Sequence, residues 1–149
     1  MNMLQHFLEY AQAFEDSYKD DDWQRLERFF APDAVYRVVG SCSWDCEIRG
    51  RTQLLAAIRK FVNEFDRHCT RALRPDGPPL VGSDSVRVRG TAAYTRGDSD
   101  ELAISIELIA QYDAQGRIIR LSDVYPPGLE ARVKAWLERF GPDLQPSYV

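Results

Sequence analysis

Hydrophobic and polar positions alternate with period two over residues 102–109: Leu102, Ile104, Ile106 and Leu108 share one face, Ala103, Ser105, Glu107 and Ile109 the other. That period, with β-branched residues, predicts a strand. Asp113-Ala114-Gln115-Gly116 is a hairpin-loop pattern, and residues 117–125 return as a second strand. There Ile119, Leu121, Asp123 and Tyr125 share a face. Glu107 either meets water or points into a cavity, where a charge is costly unless partnered or used. Pairing Tyr112 with Arg117 sets Glu107 opposite Ser122. One residue bulged near Ala110 sets it opposite Leu121, on the face of Asp123.

The rest of the chain obeys the same two periods. Leu4, Phe7, Leu8, Ala11, Phe14 and Tyr18 predict a helix over 3–19, and Trp23, Leu26, Phe29 and Phe30 a short second one. Between them, Asp20-Asp21-Asp22 places acids at a helix start, with Asp21 and Gln24 spaced as a capping box. Residues 34–39 read as a strand, and 40–50 as a loop or a second short strand. Leu54, Leu55, Ile58, Phe61, Val62 and Phe65 predict a third helix over 53–66. Residues 68–74 suit a strand, 75–79 a proline-glycine turn, and 84–96 a long strand with Val86, Val88, Ala92 and Tyr94 on one face. Leu129, Val133, Trp136, Leu137 and Phe140 mark a C-terminal helix ended by Gly141-Pro142, with residues 141–149 expected to fray. Helices early and strands late make an α+β fold in one domain.

Composition narrows the function classes. A chain of 149 residues with net charge −4 lacks the basic surface that nucleic acid requires, and no apolar run approaches the roughly 20 residues of a membrane span. The first ten residues lack a basic, cleavable leader pattern, and Cys42, Cys46 and Cys69 are few and odd in number. The expectation is therefore a cytoplasmic protein with reduced thiols. Cys42-x-x-x-Cys46 with His68 is not a zinc spacing, so no metal and no cofactor is expected.

Residues 16–38, DSYKDDDWQRLERFFAPDAVYRV, then Gly50-Arg51 and the ending GRIIRLSDVY resemble the NTF2-like superfamily over residues 5–126. That superfamily includes ketosteroid isomerase, scytalone dehydratase, limonene epoxide hydrolase and SnoaL-like polyketide cyclases. The resemblance implies a cone: three N-terminal helices packed on a strongly curved antiparallel sheet, plus the C-terminal helix. Such a fold hosts many activities, so function must come from the site.

Against ketosteroid isomerase, the oxyanion-hole tyrosine falls on Phe14 and the catalytic aspartate on Val38. Neither residue can donate or take a proton, which excludes that mechanism. Against scytalone dehydratase, a water-orienting tyrosine falls on Tyr18, a catalytic histidine on His68, and the Ser-x-Asn of the central strand on Ser105 and Glu107. Its second histidine and second tyrosine fall on Arg96 and Val38. Against the epoxide hydrolase, an Arg-x-Asp falls on Ser105 and Glu107, and a last-strand aspartate falls on Asp123, as it also does in SnoaL-like cyclases. The resemblance thus implies a catalytic set of Glu107, His68, Tyr18 and Asp123. The implied apolar pocket holds Phe14, Phe30, Tyr36, Val38, Phe61, Phe65, Tyr94 and Ser105.

The expected function is a cofactor-independent acid–base enzyme of lyase, isomerase or cyclase type on a small apolar molecule. The alternatives are a non-catalytic binding or protein-interaction cone and an epoxide-hydrolase-like enzyme. The aliphatic face of 102–108 needs cover, which predicts a homodimer through the sheet.

Overall fold

The computed structural model describes all residues, Met1–Val149. Helix α1 spans Met3–Asp20, with Asn2 accepting a capping bond from the Gln5 backbone N–H at 3.0 Å. Its buried stripe is Phe7, Tyr10, Ala13 and Ser17, while Leu8 is exposed. The face is rotated from the one expected because a tyrosine and a serine, polar in a hydropathy pattern, supply two inward positions. Asp21 ends α1 in the left-handed conformation (φ 61°) and does not cap the next helix. Its carboxylate instead accepts from Trp23 Nε1 at 2.8 Å and from Arg59 at 2.9 Å. A 3₁₀ helix at Gln24–Phe29 leads into strand β1, Phe30–Val39.

Strand β2 (Cys46–Arg49) precedes helix α2 (Arg51–Glu64) and a 3₁₀ turn at Asp66–His68. Next come strands β3 (Thr70–Pro75), β4 (Leu80–Val81), β5 (Ser85–Thr95), β6 (Leu102–Tyr112) and β7 (Ile118–Val124), then helix α3, Leu129–Phe140. The sheet order is β2-β1-β7-β6-β5-β3, with β4 on β5. It is mixed rather than wholly antiparallel, because β1 runs parallel to β7. The chain from β2 to β6 supplies the long crossover that a parallel pair needs.

The central hairpin register differs from both versions the sequence allows. Its turn is the expected one, with Gly116 N–H donating to Asp113 O. The register shifts between Gln111 and Tyr112, which leaves Ile119 without a partner on β6. The bulge therefore sits on the returning strand. Glu107 faces Val124, and Asp123 faces Leu108. One extra residue reverses the facing on its own strand: Ile118 is buried, Ile119 is exposed, and Leu121 and Asp123 turn inward.

Leu102 and Ile104 join the buried core, and Ile106 and Leu108 point at the helices. The aliphatic face is thus covered from within the chain, so it needs no second subunit for cover. The opposite face, with Ser105 and Glu107, is the outer one. At the end of β1, Gly40 (φ +88°) lies so close to the end of β7 that a Cβ there would meet the Tyr125 carbonyl oxygen at 2.1 Å.

Helix α3 docks through Trp136, whose Nε1 donates to Asp100 O at 2.8 Å. Residues 141–149 are held rather than frayed. Leu144 and Tyr148 are buried, Lys60 donates to Ser147 O at 3.1 Å, and Ser147 N–H donates to Glu64 at 3.0 Å. A buried tyrosine contributes about as much as other large apolar side chains, roughly 1.5–3 kcal/mol, which is enough to hold a short segment. No helix is long and apolar enough to cross a membrane.

Candidate functional site

Between α1, α2 and the inner face of the sheet lies a cavity of about 260 Å³. Sixteen of its twenty lining residues are hydrophobic, which sets a low local dielectric. Tyr10 and Phe14 enter from α1, Phe61 from α2, Tyr36 from β1, Tyr94 from β5, and Ile106 and Leu108 from β6. Tyr125 and Tyr148 complete the wall. Tyr148 stacks on Phe61, with ring centroids 4.3 Å apart and 10° between planes, and meets Tyr36 edge-on at 5.5 Å. A larger groove of about 560 Å³ runs beside α3, past Glu130, Lys134, Glu138, Pro142 and Pro146, and it holds no buried acid.

Two carboxylates open into the apolar cavity. Asp123, on β7, is 9% exposed, and Tyr36 Oη donates to its Oδ2. Burial pushes its carboxyl up to about 6, and the Tyr36 hydrogen bond offsets only part of that rise. Asp66, in the turn after α2, is 5% exposed and accepts from Tyr94 Oη at 3.2 Å. Burial raises it to about 6 as well, against the pull of the Arg71 guanidinium. The same burial drives the Tyr36, Tyr94, Tyr125 and Tyr148 hydroxyls well above their ordinary range, so all four are neutral donors. At the cavity edge Arg71 on β3 pairs with Glu15 on α1 at 2.5 Å.

The structure divides the residues expected from sequence. Asp123, Phe14, Tyr36, Phe61 and Tyr94 line this cavity. Glu107 does not. It sits on the outer face between Arg87 (3.4 Å) and Arg89 (2.5 Å), because the β6 pleat turns its aliphatic positions inward. Ser105 is exposed on that same face. His68 is exposed in the 3₁₀ turn that replaces the expected start of β3. Tyr18 lies beside the cavity, with the Arg71 guanidinium 3.8 Å from its ring centroid. Phe30, Val38 and Phe65 are fully buried in the core behind the lining.

Asp66, Tyr125 and Tyr148 also line the cavity, though the sequence reading does not place them there. Asp66 carries a signal: it continues the four-residue spacing of Ile58 and Val62 on the apolar stripe of α2. Tyr148, among prolines and polar residues, carries none. No three His, Cys, Asp or Glu side chains cluster as a metal site.

No protein-family model matches the chain, and no curated protein matches it by sequence. Solved structures do match. An NTF2-like protein of unknown function from Burkholderia pseudomallei superposes with TM-score 0.64 at 15% identity, covering 91% of this chain and 98% of that one. The fold is NTF2-like. Bal32a, from a soil-derived mobile gene cassette, gives 0.66 at 18% identity over 91% and 99% of the two chains. An LEH-like epoxide hydrolase of M. tuberculosis gives 0.57 at 16% identity over 90% and 91%. At such identities the likeness establishes the NTF2-like cone and leaves the chemistry to the cavity.

Proposed function

We propose that this NTF2-like chain is a cofactor-independent acid–base enzyme, of lyase, isomerase or cyclase type, acting on a small and largely apolar substrate. The observation that carries this reading is Asp123. It is a buried carboxylate in an apolar cavity, with one hydroxyl partner and no cation paired to it. A base of this kind works best when its pKa lies near the working pH. Ionised Asp123 takes a proton from substrate, and protonated Asp66, held by Tyr94 on a second wall, gives its own proton to another substrate atom; exchange with solvent then restores both acids. The Tyr125 and Tyr148 hydroxyls, whose protons are given to neither acid, hydrogen-bond the substrate oxygen on which charge develops. A structural ion pair does not account for Asp123, since no arginine or lysine meets it.

The test uses a nitrobenzisoxazole, whose ring opens when a base removes one carbon-bound proton. The full chain is expected to accelerate this elimination over solution carboxylate, with a rate that rises with pH through about 6. Asp123→Asn is expected to remove that acceleration. An equal rate in Asp123→Asn and the parent chain would overturn the proposal and leave a non-catalytic binding cone.

A further inference from the structure

Each buried acid gives one oxygen to a tyrosine. Tyr36 takes up Oδ2 of Asp123, and Tyr94 takes up Oδ2 of Asp66. Oδ1 of Asp123 has no hydrogen-bond partner in the protein, and no other side chain bonds Oδ1 of Asp66. Both side chains are more than nine-tenths buried and line the same cavity. A buried carboxylate with a free oxygen is costly unless something of opposite charge or a proton meets it.

At Asp123 the protein does not supply that charge, and at Asp66 the Arg71 and Arg67 guanidinium groups supply only part of it. Arg71 is the one cationic residue in the cavity wall, against three carboxylates, and it is already paired with Glu15. Around Asp123, the groups from the other elements are Tyr10 on α1, Tyr36 on β1, Cys46 on β2, and Tyr125 and Tyr148 after the sheet, none of them cationic. Around Asp66 stand Tyr18 on α1, Arg67 in its own turn, Cys69 and Arg71, Tyr94 on β5, and Tyr125 and Tyr148 after the sheet. The remaining wall is half aromatic and half aliphatic. The rings of Tyr36, Phe61, Tyr125 and Tyr148 gather near Asp123, and ring faces attract cations through their quadrupole.

We infer that this cavity selects a small organic cation, a substituted ammonium group carrying a short apolar body. Aromatic faces take the alkyl groups, and the free carboxylate oxygens supply the opposing charge. The volume of about 260 Å³ falls below the ~300–1,000 Å³ of drug-sized ligand sites, which limits the body to a few carbons. An anionic ligand meets repulsion from both acids, and a neutral ligand can meet their free oxygens only through a hydrogen-bond donor and leaves their charge unbalanced. The inference names the substrate class for the site proposed above and rests on that cavity being the ligand site, but not on proton transfer.

The experiment is calorimetric titration of the full chain with choline and with its neutral carbon isostere, dimethylbutanol. At about pH 8, choline is expected to bind at least about tenfold more tightly than the isostere. The preference should shrink toward parity at about pH 5, as both carboxylates take up protons. Asp123→Asn and Asp66→Asn should each lower the choline-to-isostere ratio, and Glu107→Gln should leave it unchanged. The ratio is read within each variant, so a partial loss of folded protein cancels. Equal affinities, a preference for the isostere, or binding of neither by the parent chain overturns the inference. Elimination of the nitrobenzisoxazole without choline preference retains the proton-transfer reading and sinks this one; choline preference without elimination does the reverse.

Discussion

The two faces of one sheet treat carboxylates in opposite ways. On the outer face Glu107 lies between Arg87 and Arg89, in reach of solvent. On the inner face Asp123, on the neighbouring strand, meets one tyrosine hydroxyl inside an apolar cavity. The outer acid belongs to a cross-strand ion-pair network that contributes at most about 1 kcal/mol per exposed pair. The inner acid is held against the preference of its charged form for water, which is the property the proposed base role draws on. The difference lies in neighbours rather than residue type, so exchanging those neighbours should exchange the behaviour.

The largest expected effect is on turnover. Asp123→Asn should lower elimination of the nitrobenzisoxazole by about a hundredfold or more, whereas Glu107→Gln should change it by less than about twofold. A comparable loss in both variants would erase the distinction between the faces. Next comes the wall that keeps the inner face dry. Tyr148→Ala removes the ring stacked on Phe61 and should cost about 3 kcal/mol in urea unfolding. It should also admit water to Asp123, so the pH–rate midpoint falls from about 6 toward the ordinary carboxylate range. An unmoved midpoint would mean that the 141–149 segment does not shield the acid.

The third prediction concerns stability against pH. The Asp123 carboxyl is raised to about 6 in the folded chain, above its ordinary value of 3.8. Its contribution to stability is therefore full below about pH 4 and is lost as pH rises through about 6. Asp123→Asn should thus stabilise the fold by about 2–3 kcal/mol at pH 8, and that gain should vanish at low pH. A stability difference that does not vary with pH would contradict the burial argument. The smallest effect belongs to the outer face. Glu107→Gln should cost less than about 1 kcal/mol and weaken further with added salt, as measured by urea unfolding at two ionic strengths.

Much of the fold is legible in the chain, but the site only partly so. The stripe of Leu54, Leu55, Ile58, Phe61 and Val62 announces α2, and Asp113-x-x-Gly116 announces the hairpin, because both are local patterns with a fixed period or turn chemistry. Asp123 is legible on its strand, and Phe14, Tyr36, Phe61 and Tyr94 as lining. Glu107 misleads because its neighbours in sequence fit both facings of a strand. Asp66 is only faintly marked, by its spacing from Ile58 and Val62, because it lies past the end of α2 in a turn where period carries little information.

What the amino-acid sequence determined alone was the long helices and strands, their order and their α+β class, since helix and strand periods depend on residues a few positions apart; the short β2 and β4 lie below what such periods resolve. What only the tertiary structure decided was which face of each strand is inside. The unpaired Ile119 reverses the facing along β7 and turns Asp123 inward, and the β6 pleat turns Glu107 out to two arginines. Tyr148 reaches Phe61 from far along the chain. Such choices depend on contacts between distant segments, where one residue of register moves a charge from water into an apolar cavity.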